Sequence, residues 1–460
     1  MRWILLVTLW GCTGGLDADG PLGRAGSADA GEVAPGAGSS GSPDAGTVVS
    51  TDGGLPAALT ACSTGKPDAG IVDSPGPVPA VDPPAANWAA TGAEGCNDFV
   101  PRAVSRRRSW SAPERYCFEG DPRVDGSGNL VFAYATHGLA NYNLSFFPAD
   151  GGTGRTVTST PRPGAGGIFQ LIAPRPSGFY ATARSFLPGV GTAAWIHATA
   201  GDGSDEGVRG CEEDYVPALW PDPRGGYAQS RVRVDPTATG VTWNLEVRWV
   251  DPDLSARTQW WPITSWNYDY NVDPEVHVDV NGNALVLLYF DPPMSMPCNG
   301  DMTRAAWVSE EGAVTLFTPV TPSSPNTCGG KNFATFGEPV ALADGGFAFY
   351  VAPRADVAPS GWYAYTPGSG KAVPAPEWLQ RRGPVQRLAS GAYLGIRRDA
   401  ATCARTADIF ARDGQLCASV SLAGSEGCDE QDLLSTDGTL ALHQWGSCSV
   451  RWWPLLGRAR

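Results

Sequence analysis

The chain predicts an all-β fold, a single β-propeller of seven four-stranded blades preceded by a disordered linker. Two observations carry that prediction. A unit built from an apolar stretch, a small turn ending in Gly and a second apolar or alternating run recurs seven times, and a second polar turn follows inside the units. With Gly128, Gly178, Gly226, Gly282, Gly346, Gly391 and Gly438 as markers, the spacings are 50, 48, 56, 64, 45 and 47 residues. Such a period is the signature of a repeat architecture.

The N-terminus comes first. Met1 and Arg2 precede the apolar run Trp3 to Trp10, and Gly11 stands before Cys12. A run of eight is too short for a membrane span, which needs about 20 residues, but fits the apolar core of a secretory signal. Leu9-Trp10-Gly11-Cys12 resembles the lipobox of bacterial lipoproteins. That resemblance implies that residues 1–11 are a signal peptide and that Cys12 becomes the diacylglyceryl-modified first residue. Because Thr13 rather than Asp follows, it also implies outer-membrane sorting in a Gram-negative cell. The competing reading is an ordinary signal peptide with a chance cysteine. No later stretch is apolar enough to span a membrane, so the expected membrane partner is reached through lipid alone.

Residues 12–86 read as a disordered tether. Between Thr13 and Asn87 there is no aromatic residue, and Gly, Ala, Ser, Pro and Asp dominate. Such a composition buries too little apolar surface to offset the entropy of ordering. From Thr13 to Gly95 ten acidic and two basic side chains contribute −8 of the chain's formal −14. The acidity belongs mostly to this segment and argues against a nucleic-acid partner, which calls for a basic stripe. Asp-Ala-Gly recurs at Asp29, Asp44 and Asp68, but carboxylates so dispersed make a poor calcium site.

The propeller is expected over residues 87–460. Its first turns are Asp125-Gly126-Ser127-Gly128, Ser177-Gly178, Gly225-Gly226, Asn281-Gly282, Gly345-Gly346, Ser390-Gly391 and Asp437-Gly438. Asp-Gly, Asn-Gly and Gly-Gly between apolar runs are hairpin turns because they accept positive φ. Second hairpins turn near Asp150-Gly151, Asp251, Glu311-Gly312 and Asp413-Gly414. Two hairpins per unit give four strands. The last unit ends one strand short after Ser449 to Trp453, and the segment Asn97 to Trp110 is expected to supply it, removing an exposed edge. A pair of β-sandwiches, or a ring of six or eight blades, are the competing arrangements. The turns are generic: no Trp-Asp dipeptide closes the units, and Ser435-Thr436-Asp437-Gly438-Thr439 meets only the first half of a sialidase-type Asp-box.

Ten cysteines follow Cys12, an even number that in a secreted chain suggests disulfides. Spacing about the turns pairs Cys428 with Cys448, Cys298 with Cys328, and Cys403 with Cys417, and makes Cys96 with Cys117 plausible. Cys62 and Cys211 are left over. There is no Cys-x-x-Cys and the four histidines, His137, His197, His277 and His443, are scattered, so neither a metal site nor a cofactor is expected.

Motifs for chemistry are few. Gly368-Ser369-Gly370-Lys371 lacks the first Gly and the final Ser or Thr of a phosphate loop and reads as a hairpin turn. Asp269 to Asp273 begins like a calcium loop, but Pro274 stands where Gly is needed. The better ligand-binding candidate is aromatic: Trp260, Trp261, Trp266, Tyr268 and Tyr270 lie among polar neighbours, a composition that suits sugars or peptides. The alternative is that these rings cap the blade core. The leading expectation is a monomeric, lipid-anchored binding or scaffold protein of the cell envelope, periplasmic or surface-exposed, with a protein or glycan ligand. A polysaccharide-acting propeller hydrolase or lyase and a structural envelope component are the other readings.

Overall fold

The computed structural model describes residues 71–76, 78–82, 87–101, 103–112, 118–135, 142–159, 168–187, 191–213, 218–237, 240–266, 271–291, 303–317, 339–351, 361–369, 373–379, 384–444 and 447–459. They form a seven-bladed β-propeller. Three short strands, β1 (Ile71–Pro75), β2 (Ala80–Val81) and β3 (Ala89–Ala90), precede β4 (Arg108–Ser111). Blade 1 then holds β5 (Phe118–Val124), β6 (Leu130–Ala135), β7 (Tyr142–Phe147) and β8 (Arg155–Ser159). Blade 2 holds β9 (Ile168–Pro174), β10 (Phe179–Leu187), β11 (Gly191–Thr199) and β12 (Asp205–Glu213). Blade 3 holds β13 (Ala218–Pro221), β14 (Tyr227–Thr237), β15 (Gly240–Val250) and β16 (Trp261–Trp266). Blade 4 holds β17 (Asn271–Val278), β18 (Ala284–Asp291), β19 (Thr303–Val308) and β20 (Val314–Phe317). Blade 5 holds β21 (Val340–Ala341), β22 (Phe347–Val351), β23 (Gly361–Tyr365) and β24 (Val373–Pro374). Blade 6 holds β25 (Val385–Arg387), β26 (Tyr393–Arg398), β27 (Arg405–Phe410) and β28 (Leu416–Leu422). Blade 7 takes β29 (Glu430–Leu434), β30 (Leu440–Gln444) and β31 (Ser449–Trp453) from the C-terminus and β4 from the N-terminus. The expected ring closure is thus observed, with Arg451 opposite Ser109 in an antiparallel ladder.

Every ladder among the described residues is antiparallel, and blades 1 to 6 are meanders, as hairpin turns dictate. The first strands of neighbouring blades touch, β9 with β5 and β13, and β13 with β17, so they are the inner strands and the fourth strands form the rim. Both faces of a blade are covered by its neighbours, and the apolar residues pack in the seams. Seven clusters of buried residues occur among the described residues, one per seam. Leu130, Phe132 and Phe147 of blade 1 meet Val450 and Trp452 of blade 7, and Leu245, Val247 and Trp249 of blade 3 meet Val276, Val286 and Val308 of blade 4.

The turn between first and second strands also links blades. Asp125 Oδ1 accepts from the backbone N–H of Ser127 and Asn129, both at 2.9 Å, and Oδ2 accepts from the N–H of Gly178 in the next blade at 2.5 Å. Asp279 repeats this with Asn281, Asn283 and, across the seam, Gly346 at 2.8 Å. Gly346 has φ +81°, and a Cβ there would sit 2.3 Å from the Tyr365 carbonyl oxygen, so Gly is required on both counts. In blade 3, Arg224 takes this place, joining Asp222 at 2.8 Å to Glu310 of blade 4 at 2.9 Å.

Two expectations are corrected. The stretch read as tether, 12–86, contains β1 and β2. β1 adds a fifth strand outside β8, β2 lies outside β4, and β3 lies outside β28. The composition argument counted buried side chains, whereas these strands are held through backbone hydrogen bonds to blade edges. Residues 1–70, with Cys12, lie outside the described residues.

The disulfides also differ. Cys96 bonds Cys417 and Cys403 bonds Cys428, so Cys428–Cys448, Cys403–Cys417 and Cys96–Cys117 do not form. Symmetry about one hairpin is the wrong guide, because each bond joins separate elements: Cys96, before β4, meets Cys417 in β28, and Cys403, between β26 and β27, meets Cys428, between β28 and β29. Cys211 and Cys448 are disulfide-bonded as well. Cys298 and Cys328 lie outside the described residues. The bonds indicate an oxidising, non-cytoplasmic compartment.

Candidate functional site

Blade 3 carries the longest hairpin among the described residues. β14 and β15 run 11 residues each, whereas the middle strands of other blades run 5 to 9. The turn at Asp222–Gly226 fixes one end, so the excess extends toward the opposite face, by roughly 7–20 Å at about 3.3 Å per residue. β13 pairs only with Tyr227 to Ser230. The rest of β14 rises beyond its inner neighbour.

Alternation then separates two faces. On one, Gln229, Arg231, Arg233 and Asp235 stand opposite Arg248, Glu246, Asn244 and Thr242. They form a polar ladder: Arg231 Nε donates to Glu246 at 2.6 Å, Arg233 pairs with Asp235 at 3.0 Å, Asn244 Nδ2 donates to Asp235 at 3.0 Å, and Arg248 Nε donates to Gln229 at 2.7 Å. On the other, Val234, Trp243 and Trp266 are consecutive cross-strand partners over β14, β15 and β16. Val234 is 43% exposed, and the two tryptophans are half-buried.

The three described tryptophans of the aromatic segment do not share one surface. Trp260 lies on the polar face under the guanidinium groups of Arg231 and Arg248, 4.1 and 4.3 Å from its ring centre, a cation–π arrangement. Trp261 packs into the seam with blade 4, where its Nε1–H donates to the Glu310 carbonyl at 3.1 Å and a Cβ on Gly312 would meet its ring at 2.6 Å. Trp266 packs against the same seam from further along the strand. A bulge between Leu245 and Glu246 in the β15–β16 ladder makes this possible, since an extra residue switches the face on which later side chains fall. Tyr268 and Tyr270 lie outside the described residues. Trp243, absent from the sequence reading, completes the apolar row; the signal for it was the unusually long alternation from Tyr227 to Val250.

Titratable groups elsewhere are committed to structure. Burial raises the Asp125 and Asp437 carboxyls above the ordinary range, against the lowering effect of their hydrogen bonds, and the Asp125 charge raises Asp437 a little further. Arg405, with a fully buried side chain, donates to Asp432 at 2.5 Å, and Arg398 reaches the same carboxylate at 3.2 Å. Burial lowers the Arg405 pKa despite these partners. His197 and His443 are buried, His443 with Nε2 3.2 Å from the Ser447 carbonyl; His137 lies outside the described residues. His277 differs: on inner strand β17, its Nε2 lies 2.7 Å from Glu275 Oε1, and both side chains are partly exposed, 23% and 28%. Thr366 to Ser369 forms a turn, closed by Ser369 N–H to the Thr366 carbonyl at 3.0 Å, while Gly370 and Lys371 of the turn expected there lie outside the described residues. No group of three or more metal-ligating side chains occurs among the described residues.

Comparison with protein-family models and with curated proteins finds no match. Among solved structures, the fold is similar to the β-propeller domain of the Trilobed protease from Pyrococcus furiosus, at 8% identity over 74% of this chain and 94% of that one, TM-score 0.38. It is similar to XC5397 from Xanthomonas campestris, a gluconolactonase, at 12% identity over 84% and 99%, TM-score 0.35. The polysaccharide lyase Uly1 is similar at 8% identity over 84% and 99%, TM-score 0.40.

Proposed function

We propose that this chain is a lipid-anchored binding module of the cell envelope, fixed at Cys12 to the outer membrane, which takes a glycan or protein ligand on the raised hairpin of blade 3. The observation that carries the reading is the cross-strand row Val234, Trp243 and Trp266 on the longest hairpin of the ring. Adjacent aromatic rings offer apolar contact to a sugar face or an apolar side chain, and Thr264, two residues from Trp266 on the same face of β16, supplies a hydroxyl to orient it. A rigid ring whose seams are packed and stapled holds such a platform without an ordering cost on binding. The lipobox resemblance and the disulfides support the envelope location.

The test is a glycan, peptidoglycan and peptide binding screen of the wild type, followed by Trp266→Ala and Trp243→Ala. At least a tenfold weaker affinity is expected for each, with unchanged far-UV circular dichroism. Binding that survives in both variants removes the platform from the proposal.

One observation favours a second reading, a polysaccharide-acting hydrolase or lyase. Glu275 and His277 form a hydrogen-bonded carboxylate–imidazole pair on an inner strand, an arrangement able to move a proton. Turnover of a polysaccharide that is abolished by His277→Ala would establish it over the binding reading.

A further inference from the structure

The three N-terminal strands form a belt around the rim. Read backward along the chain, β3 covers the outer strand of blade 6, β2 that of blade 7 and β1 that of blade 1, all antiparallel. They start at residues 89, 80 and 71, a step of nine residues per blade. Another step back arrives at blade 2 and at residue 62, which is a cysteine.

The rim of blade 2 has features of a covered edge. β12 is nine residues long and is the outer strand of its sheet, whereas the outer strands of blades 3, 4 and 5 have six, four and two residues. Long open edges invite pairing, and short ones are harmless. Val208 on β12 is 39% exposed. Cys211, in the same strand, is disulfide-bonded. At its other end the belt is already fixed to a rim strand by Cys96–Cys417, Cys417 lying in β28.

We infer that the outer edge of β12 is the docking site of this chain's own segment around Cys62, and that Cys62 is the partner of Cys211. The remaining cysteines fit less well. Cys117 is five residues beyond Ala112, whose N–H donates to the Cys448 carbonyl at 2.7 Å, which makes Cys448 its natural partner. Cys298 and Cys328 flank strands of blade 4, two blades from β12. Nine residues span up to about 30 Å, ample to reach from Ile71 to the neighbouring blade. Forming the bond removes two thiol protons and two electrons, which pass to the disulfide of a thiol–disulfide oxidoreductase of the secretory compartment and reduce it to two thiols. The completed belt then spans blades 6, 7, 1 and 2, across the ring closure, with a disulfide at each end.

Mass-spectrometric mapping of the full-length protein digested without reduction is the test. A cross-linked peptide pair containing Cys62 and Cys211 is expected, and Cys211 joined to any other cysteine overturns the assignment. Hydrogen exchange addresses the docking separately. Slow amide exchange is expected over residues 60–65 in the wild type and fast exchange in Cys62→Ser, while β1 remains protected in both. Fast exchange over 60–65 in the disulfide-bonded wild type would overturn strand addition to β12.

Discussion

Asp437 and Asp125 are buried in the first turns of blades 7 and 1, the two blades that meet where the ring closes, and their charge states matter to its stability. Burial is the largest influence on each, and it raises both carboxyls. A carboxyl whose folded pKa lies above its unfolded value stabilises the fold fully below the unfolded value and loses that contribution as pH rises through the folded one. The seam should therefore be firmest in mild acid. Asn at 437 imitates the protonated carboxyl at every pH, so Asp437→Asn should fall further below the wild type at pH 4 than at pH 7. Urea unfolding at the two pH values checks this, and a constant difference would show that the carboxyl is not perturbed. The residues were partly legible beforehand. Asp437-Gly438 announces a turn because those residue types accept its backbone angles, but the reach of such an Asp to a neighbouring blade, as from Asp125 to Gly178, depends on where the next repeat lies. Trp260, Trp261 and Trp266 were found by composition; the bulge that brings Trp261 and Trp266 onto one face, opposite Trp260, leaves no mark in composition.

At the scale of elements, the hairpins and the closing strand follow from patterns within single repeats, and these the amino-acid order displays. The belt and the disulfides do not, since both join segments far apart in the chain. Cys96 and Cys417 are separated by 321 residues, Cys403 and Cys428 by 25. In the loop-closure account, the longer crosslink restricts the unfolded chain more, by about 6 kcal/mol against about 3.5 kcal/mol. Removing Cys96–Cys417 also unfastens one end of the belt and disturbs a site where both cysteines are almost wholly buried, 1% and 0% exposed. A Cys96→Ser, Cys417→Ser pair should accordingly lower the denaturant midpoint more than a Cys403→Ser, Cys428→Ser pair, both measured without reductant. Equal midpoints would mean that the belt adds nothing to ring closure.

For the whole molecule, the ring, the belt and the proposed lipid form a series in which each part fixes the position of the next. The chain from Thr13 to residue 70 has 58 residues, 49 of them before Cys62. The belt lies over blades 1, 7 and 6, which leaves the blade 3 hairpin on the side of the ring away from blades 6 and 7. Neither that length nor that orientation matters unless Cys12 carries lipid. A diacylglyceryl group supplies two acyl chains, and two chains hold a protein to a bilayer where a single one binds only marginally. Palmitate label should therefore enter the wild type and not Cys12→Ser, and the variant should leave the membrane fraction while its propeller keeps the wild-type thermal midpoint, since no described contact of the ring involves residue 12. Label that persists in Cys12→Ser would remove the anchor; a variant that loses label yet still sediments with the envelope would place the attachment in the ring itself, and the Trp266→Ala and Trp243→Ala substitutions combined with Cys12→Ser would then show whether the blade 3 hairpin is what holds it there.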